Sequence, residues 1–415
     1  QGRVRAVPTR SLQAWEAYQA GRKALGPRTQ AGLGQAMQYF QAAIDLDPGF
    51  ARAYAGLADA IWLSASILGR PVEAAMAEAE VPLKEALRLD PELVEALTTT
   101  ANFATARRDF DRAEAGFRKA IELNPNYPTA HQWYGILLSV QGRHAESLQS
   151  KQKAVELDPM SALMRVSLAD GLSAAGQFDD ALAVLEEASQ RDPSSPLPLI
   201  NIGLLEAYAY GRFDPAIAHA EQATEPGRDR LAYAGFLAQL YLDLGLYEQA
   251  RQRLEAAGPR AAGSPAWGYL HLYLGEPGEM LASAQRAVET NRLDPRPLAL
   301  LRDAALAAND HRAARALYED SFPELLAQPP ALDGWNCAAA IDLALVLQKA
   351  GEAEPAAELL RRAEAWVLTM PRLGRLGHGI ADARIRMLRG QPQDALAKLR
   401  EAQRSGWRGP YWRYY

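Results

Sequence analysis

One spacing constrains this chain more than any other feature. Pro91, Pro125, Pro159 and Pro193 stand 34 residues apart at every step, and each ends a nearly repeated phrase. The phrases are Lys119-Ala120-Ile121-Glu122-Leu123-Asn124-Pro125, Lys153-Ala154-Val155-Glu156-Leu157-Asp158-Pro159 and Glu187-Ala188-Ser189-Gln190-Arg191-Asp192-Pro193. A period of this length, without Gly-rich or β-branched strand runs, predicts an all-α array of helical hairpins. One hairpin cannot bury its own apolar face and must stack on a neighbour. A chain of 415 residues would otherwise suggest two or three separate cores, but an array lengthens by adding units.

Composition narrows the function classes. Apolar residues make up 48%, enough for a folded chain, and no stretch approaches the 18 or so uninterrupted apolar residues of a membrane span. The net charge of −5 does not suit general nucleic-acid coating, so no direct nucleic-acid binding is expected. Charge is uneven, however: residues 361–415 carry 12 Lys and Arg against 4 Asp and Glu. This basic end is a solvated face or a docking patch for an acidic partner. The lone Cys337 excludes an intrachain disulfide. The first residue, Gln1, has no charged-then-apolar leader after it, so the chain reads as a fragment or processed product.

Along the chain, residues 1–10 lack helical period and read as a linker, with Ser11 the expected N-cap of the first helix. Leu12, Trp15, Tyr18 and Leu25 form its apolar stripe, answered by Ala36, Phe40, Ala43, Ile44 and Leu46 before Asp47-Pro48. Between Pro48 and Pro91 the spacing is 43, and the excess falls around residues 67–80 as a lengthened turn or extended helix. After Pro193 the strict ending fades, but Ala216, Ala220 and Ala223, then Ala250, Leu254 and Ala257, Ala356, Leu360 and Ala363, and Ala395, Leu399 and Ala402 keep the pattern. Ten or eleven hairpins fill the chain, as a regular array over 11–226 and a divergent one over 227–405. The aromatic and basic stretch 406–415, with Trp407, Tyr411, Trp412, Tyr414 and Tyr415, is expected to be a cap or a truncated tail.

Specific positions make the chain resemble the tetratricopeptide repeat family. First helices offer Tyr54, Leu57 and Ala58, or His131, Tyr134 and Gly135; second helices offer Ala113, Phe117 and Ala120, or Ala181, Leu185 and Ala188. The turns between them carry Gly142, Gly176, Gly211, Gly245, Gly275, Gly351 and Gly390, where a left-handed residue can end a helix without a Cβ clash. The resemblance covers roughly 11 to 405, strongest over 36–193 and loosest over 258–335. It implies a right-handed α-α superhelix. The opening residues 8–18 and closing residues 406–412 are similar to the ends of repeat segments in bacterial multidomain regulators, where a winged-helix, cyclase or kinase module precedes the array. That similarity implies a periplasmic position beyond a membrane span in preference to the cytoplasm.

Catalysis needs converging groups, and none converge. His131, His144, His219, His271, His311 and His378 fall in separate hairpins without a second ligand at helical spacing, and there is no His-Glu-x-x-His, paired Cys or Gly-rich loop after a strand. Ser150-Lys151-Gln152-Lys153 matches a Ser-x-x-Lys pattern without its companion motifs, so it reads as chance. No enzyme activity, metal or cofactor is expected, and Cys337 reads as a buried structural thiol.

The resemblance also implies an inner wall built by the first helices. It places Arg52, Asp59, Asn102, Thr105, Gln132, Ser139, Asp170 and Ser173 inward, and further on Asn201, Leu205, Tyr208, Gln239, Leu242, Tyr269, Leu272 and Tyr273. Asn102, Gln132, Asn201, Leu205, Tyr208, Gln239, Tyr269 and Tyr273 are the candidate binding residues, because aromatic anchors flanked by amides suit a peptide or small ligand. The cationic clamp that some family members use for chaperone tails is missing, since its places hold Ala55, Asp59, Thr98, Asn102, Gln132 and Ile136. The expected function is a non-catalytic interaction or sensor segment of a bacterial regulator, with a protein, peptide or small-ligand partner on the concave face. The alternative is a spacer or dimerisation scaffold joined through Trp407 and Trp412.

Overall fold

The computed structural model describes residues 9–26, 28–224, 233–374 and 377–406. Its described residues form 22 α-helices and no strand. They pair as hairpins: α1 (Leu12–Leu25) with α2 (Gln30–Leu46), α3 (Ala51–Leu68) with α4 (Val72–Leu89), α5 (Val94–Ala106) with α6 (Phe110–Leu123), and α7 (Pro128–Val140) with α8 (His144–Leu157). There follow α9 (Ala162–Ala174) with α10 (Phe178–Arg191), α11 (Leu197–Tyr208) with α12 (Phe213–Ala223), α13 (Ala234–Asp243) with α14 (Tyr247–Ala256), and α15 (Pro265–Leu274) with α16 (Pro277–Thr290). The last three are α17 (Pro295–Ala307) with α18 (His311–Ser321), α19 (Cys337–Lys349) with α20 (Ala353–Val367), and α21 (Ala381–Leu388) with α22 (Pro392–Arg404). Short 3₁₀ turns occupy Gly258–Gly263 and Pro323–Leu326.

The repeated phrase dictates each hairpin. In α6, Asp109 caps the first turn by accepting from the Arg112 amide, and Ala113, Phe117 and Ala120 bury one stripe. Asn124 bonds back to Ala120, and Pro125 cannot continue the helix. Ser11 caps α1 in the same way. The nine extra residues of the second hairpin lengthen both of its helices, to 18 residues each. All seven turn glycines are left-handed, with φ between 69 and 85°. At the equivalent register, one period before Gly142, stands Arg108 with φ 64°. A side chain there costs backbone strain of about 1 kcal/mol or more, and the C-terminal hairpins explain its presence.

Those hairpins come back against the N-terminal ones. The Arg108 guanidinium pairs with Asp333 and, at 2.9 Å, with Glu324, both in the segment between α18 and α19. The Gly334 amide donates to the Val140 carbonyl at 2.9 Å, and the Gly374 amide to the Tyr208 carbonyl at 2.8 Å. Trp366 lies over the turn at Gly142, where an added Cβ would come within 3.0 Å of the indole. Arg292 reaches Glu73 at 3.1 Å. The array is therefore wound so far that one edge of hairpins two to six carries the linkers and helices of hairpins nine to eleven. An inner wall open along its whole length is not what forms.

Within the array, first helices touch first helices: α1, α3, α5, α7, α9 and α11 in sequence, then α13, α15, α17, α19 and α21. The second helices pack on the first helices of their own and the next hairpin, so the first helices are the inner layer. Apolar clusters bridge successive hairpins, such as Phe40 with Tyr18 and Phe50, or Phe117 with Trp133 and Leu137. Burying one such ring contributes about 1.5–3 kcal/mol. The run of clusters is interrupted between the fourth and fifth hairpins, where one ends at Leu137 and the next begins at Val166.

Candidate functional site

The interruption has a cause in the sequence. One period separates Phe117, Lys151 and Leu185, so a lysine takes the place where its neighbours put a large apolar side chain. Lys151 is 3% exposed. Its stem passes between Gly135 on α7 and Gly171 on α9; a Cβ at Gly135 would stand 2.7 Å from Lys151 Cγ, and one at Gly171 3.1 Å from Cδ. Gly171 itself occupies the register of Leu137 and Leu205. The pair exchanges a large residue for a small one so that an ammonium can cross to the inner layer. Ser147 completes this polar seam by donating to the Gly135 carbonyl at 2.6 Å.

Lys151 opens on a cavity of about 570 Å³ between hairpins four and five and the C-terminal hairpins. Ile136, Ser139, Asp170 and Ala174 form one wall; Tyr269, Arg296, Trp335, Asp342, Trp366 and Arg384 form much of the other. Asp342 is fully enclosed, yet it lies below the usual carboxylate range. Burial pushes it up, and the Arg302 and Arg384 guanidiniums more than reverse that. Burial, and then the Lys151 charge, hold His144 below the usual imidazole range.

The eight candidate residues do not gather at one place. Asn102 on α5 and Gln132 on α7 stand in the inner layer, Gln132 buried. Asn201 turns its amide back to the Leu197 carbonyl at 2.9 Å. Leu205 packs with Val166, Leu185 and Ile202 in the core, because its register is the large apolar one. Tyr208 and Gln239 meet at Asp243, with the phenol at 3.3 Å and the amide at 2.7 Å from its two oxygens. Burial drives the Asp243 carboxyl up to about 7 against these two hydrogen bonds. Tyr273 stacks on Tyr247 at 5.4 Å. Tyr269 alone of the eight lines the cavity, donating to the Arg296 carbonyl at 3.2 Å.

A second polar group lies on the first three hairpins. Asp59 on α3 accepts from Thr99 on α5 and has Arg22 and Arg28 beside it. Desolvation lifts its carboxyl to about 6, opposed by Thr99 and the two arginines. Arg52 pairs with Glu95 at 3.2 Å.

The remaining chemistry is structural. Ser150 donates to the His131 carbonyl at 2.8 Å, so the Ser-x-x-Lys match is a helix-packing contact. Cys337 is buried at the start of α19, a helix end that its sequence neighbours did not signal, and burial pushes its thiol up to about 12. Among the described residues no group of three or more His, Cys, Asp or Glu is placed to hold a metal, and no helix is long and apolar enough to cross a membrane. The expected aromatic cap at Trp407 to Tyr415, the linker 1–8 and the boundary near 226 lie outside the described residues.

Lys151 was legible only by aligning the repeats on their period.

No curated protein matches the chain. Among solved structures, a tetratricopeptide repeat protein from Parabacteroides merdae ATCC 43184 aligns with a TM-score of 0.41 at 16% identity, covering 64% of this chain and 100% of that one. The MamA protein aligns with a TM-score of 0.27 at 17% identity, over 44% of this chain and 93% of that one. Tetratricopeptide repeat models match residues 117–149 and 207–271. These two segments of the all-α hairpin array are thus identified as tetratricopeptide repeats.

Proposed function

We propose that the chain is a non-catalytic interaction scaffold which holds a segment of another protein on the inner layer of its first hairpins. The observation that carries this reading is the polar group there: Arg22 on α1, Asp59 on α3 and Thr99 on α5, with Arg28 in the first hairpin turn and Asn102 one helical turn of α5 beyond Thr99. Apart from Arg28, these side chains belong to three successive first helices, and an extended peptide laid across such helices meets guanidinium, carboxylate and amide groups suited to its backbone and to acidic side chains. Tetratricopeptide repeats generally mediate protein–protein contacts, which supports the same reading. The similarity of residues 8–18 to the start of repeat segments in bacterial regulators further supports a role in signalling, with an attached module responding to the partner.

A displayed library of random peptides, selected on the immobilised chain, tests this. The expected result is enrichment of a peptide family that binds at least tenfold more weakly to Arg22→Glu and Asn102→Ala variants of unchanged thermal stability. Peptides that ignore both substitutions would place the partner elsewhere.

A further inference from the structure

Resting on the partner reading and naming the chemistry of that partner, we propose that the bound segment is acidic and sets an Asp or Glu side chain against Arg28 and Arg22 at the first hairpin turn.

The backbone marks Arg28 out. Among the described residues, ten hairpins hold a left-handed residue immediately before the N-cap of their second helix. It is glycine in seven of them, Asn309 in one, and an arginine at Arg28 and Arg108. Asparagine visits this region readily, whereas a longer side chain is held there only where its surroundings offset the strain. Arg108, with φ 64°, has such an offset, because Asp333 and Glu324 receive its guanidinium. Arg28, with φ 58°, has none of this kind. Its backbone amide donates to the Leu25 carbonyl at 3.2 Å, but among the described residues its half-buried side chain makes no hydrogen bond and no ion pair. Glycine alone would serve the turn, as it does in seven others. What arginine adds is a guanidinium awaiting an acceptor.

The charge around it is not balanced within the chain. Arg22, near the end of α1, is exposed, and its side chain reaches only the Tyr18 phenol, at 3.5 Å. Asp59 lies beside both arginines without forming an ion pair with either, and it already accepts from Thr99. Arg52 and Glu95 answer each other at 3.2 Å. Two guanidiniums therefore face one carboxylate, which leaves one positive charge over. Desolvation holds Arg28 below its ordinary value; Asp59 opposes this and Arg22 reinforces it. An acidic side chain laid at the turn gives Arg28 the charge-assisted hydrogen bonds that Arg108 already has, and it supplies the missing negative charge.

The test starts from peptides enriched when a random displayed library is selected on the immobilised whole chain. Each is synthesised with its acidic residues intact and with the matching amides, and its Kd is measured against wild type, Arg28→Gly and Arg22→Gln. The enriched peptides should share an Asp or Glu, and their amide forms should bind wild type about tenfold more weakly or worse. Arg28→Gly places glycine where seven other turns have it and breaks no ion pair, so thermal stability should be kept or raised. The same variant should lose about tenfold or more in affinity for the acidic peptide and little for its amide form. Arg22→Gln should act in the same direction. Peptides without a shared acidic residue, equal binding of acid and amide forms, or unchanged affinity in both arginine variants would each overturn the acidic partner while leaving a peptide-binding face in place. Loss of stability in Arg28→Gly would give the arginine a partner inside the chain and would overturn it too. No enrichment of any peptide would sink the partner reading itself.

Discussion

Replacing Arg108 by Gly tests whether the return of the C-terminal hairpins is held by one residue. Arg108 is 12% exposed, with Asp333 at 5% and Glu324 at 22%. Removing one partner of a buried ion pair costs about 3–5 kcal/mol, because the other charge is left without compensation. Glycine returns about 1 kcal/mol by relieving the left-handed backbone, so the net loss is about 2–4 kcal/mol in the contact between hairpin three and residues 322–336. The readout is hydrogen exchange at the Gly334 amide, which is bonded to the Val140 carbonyl. At 1.4 kcal/mol per factor of ten, its protection should fall by about 30-fold to 700-fold, while amides inside α5 and α6 change little. Asp333 already sits above the usual carboxylate range, burial outweighing Arg108. A raised folded pKa means the closed form takes up a proton more readily, so the loss should shrink as pH is lowered from 7 towards 5. Adding Asp333→Asn, which keeps an oxygen for the Trp335 and Asn336 amides, should recover much of the protection. If Gly334 exchanges at the wild-type rate in the glycine variant, the clasp does not hold the two parts together.

Four further outcomes are expected. Ala154→Leu or Ala188→Leu, each at a buried helix seam, should cost about 1–3 kcal/mol by denaturant titration; a neutral result would mean the seams have room. Gly142→Ala should destabilise more than Gly245→Ala, although both have φ 77°, because only the first faces an indole at 3.0 Å; equal losses would leave the Trp366 contact without weight. The Asp243 carboxyl should titrate near 7 by NMR. Its folded pKa is raised, so its effect on stability is most favourable below the unfolded value near 4 and is lost as pH rises through 7, by at most about 4 kcal/mol. Asp243→Asn should flatten that slope. Cys337 should resist a thiol reagent in the folded chain and react at once on unfolding; rapid reaction without unfolding would refute its enclosure.

Local signals carried most of the architecture. The 34-residue period, the left-handed glycines and the Ser11 cap each follow from a few neighbouring residues, and the hairpins form where those residues lie. The inner layer was legible as well, since it follows from which helix comes first in each unit. The site was harder to read. Family position points Leu205 inward, but an apolar residue at the large-side-chain register goes to the core. Tyr208 and Gln239 find each other only through Asp243, which lies 35 residues beyond Tyr208. The contacts of Arg108 span 225 residues, and no periodicity announces such a pair. What did announce it was an exception, an arginine where the repeat calls for glycine. Lys151 was a second exception of the same kind.

The Arg108 clasp also bears on how such a chain can change length. A free array tolerates gain or loss of a unit because each hairpin answers only to its neighbours. Here the turn of the third hairpin must meet a loop after the ninth, so inserting or deleting one unit between them would swing Asp333 past its arginine. The number of hairpins in that interval is thereby locked.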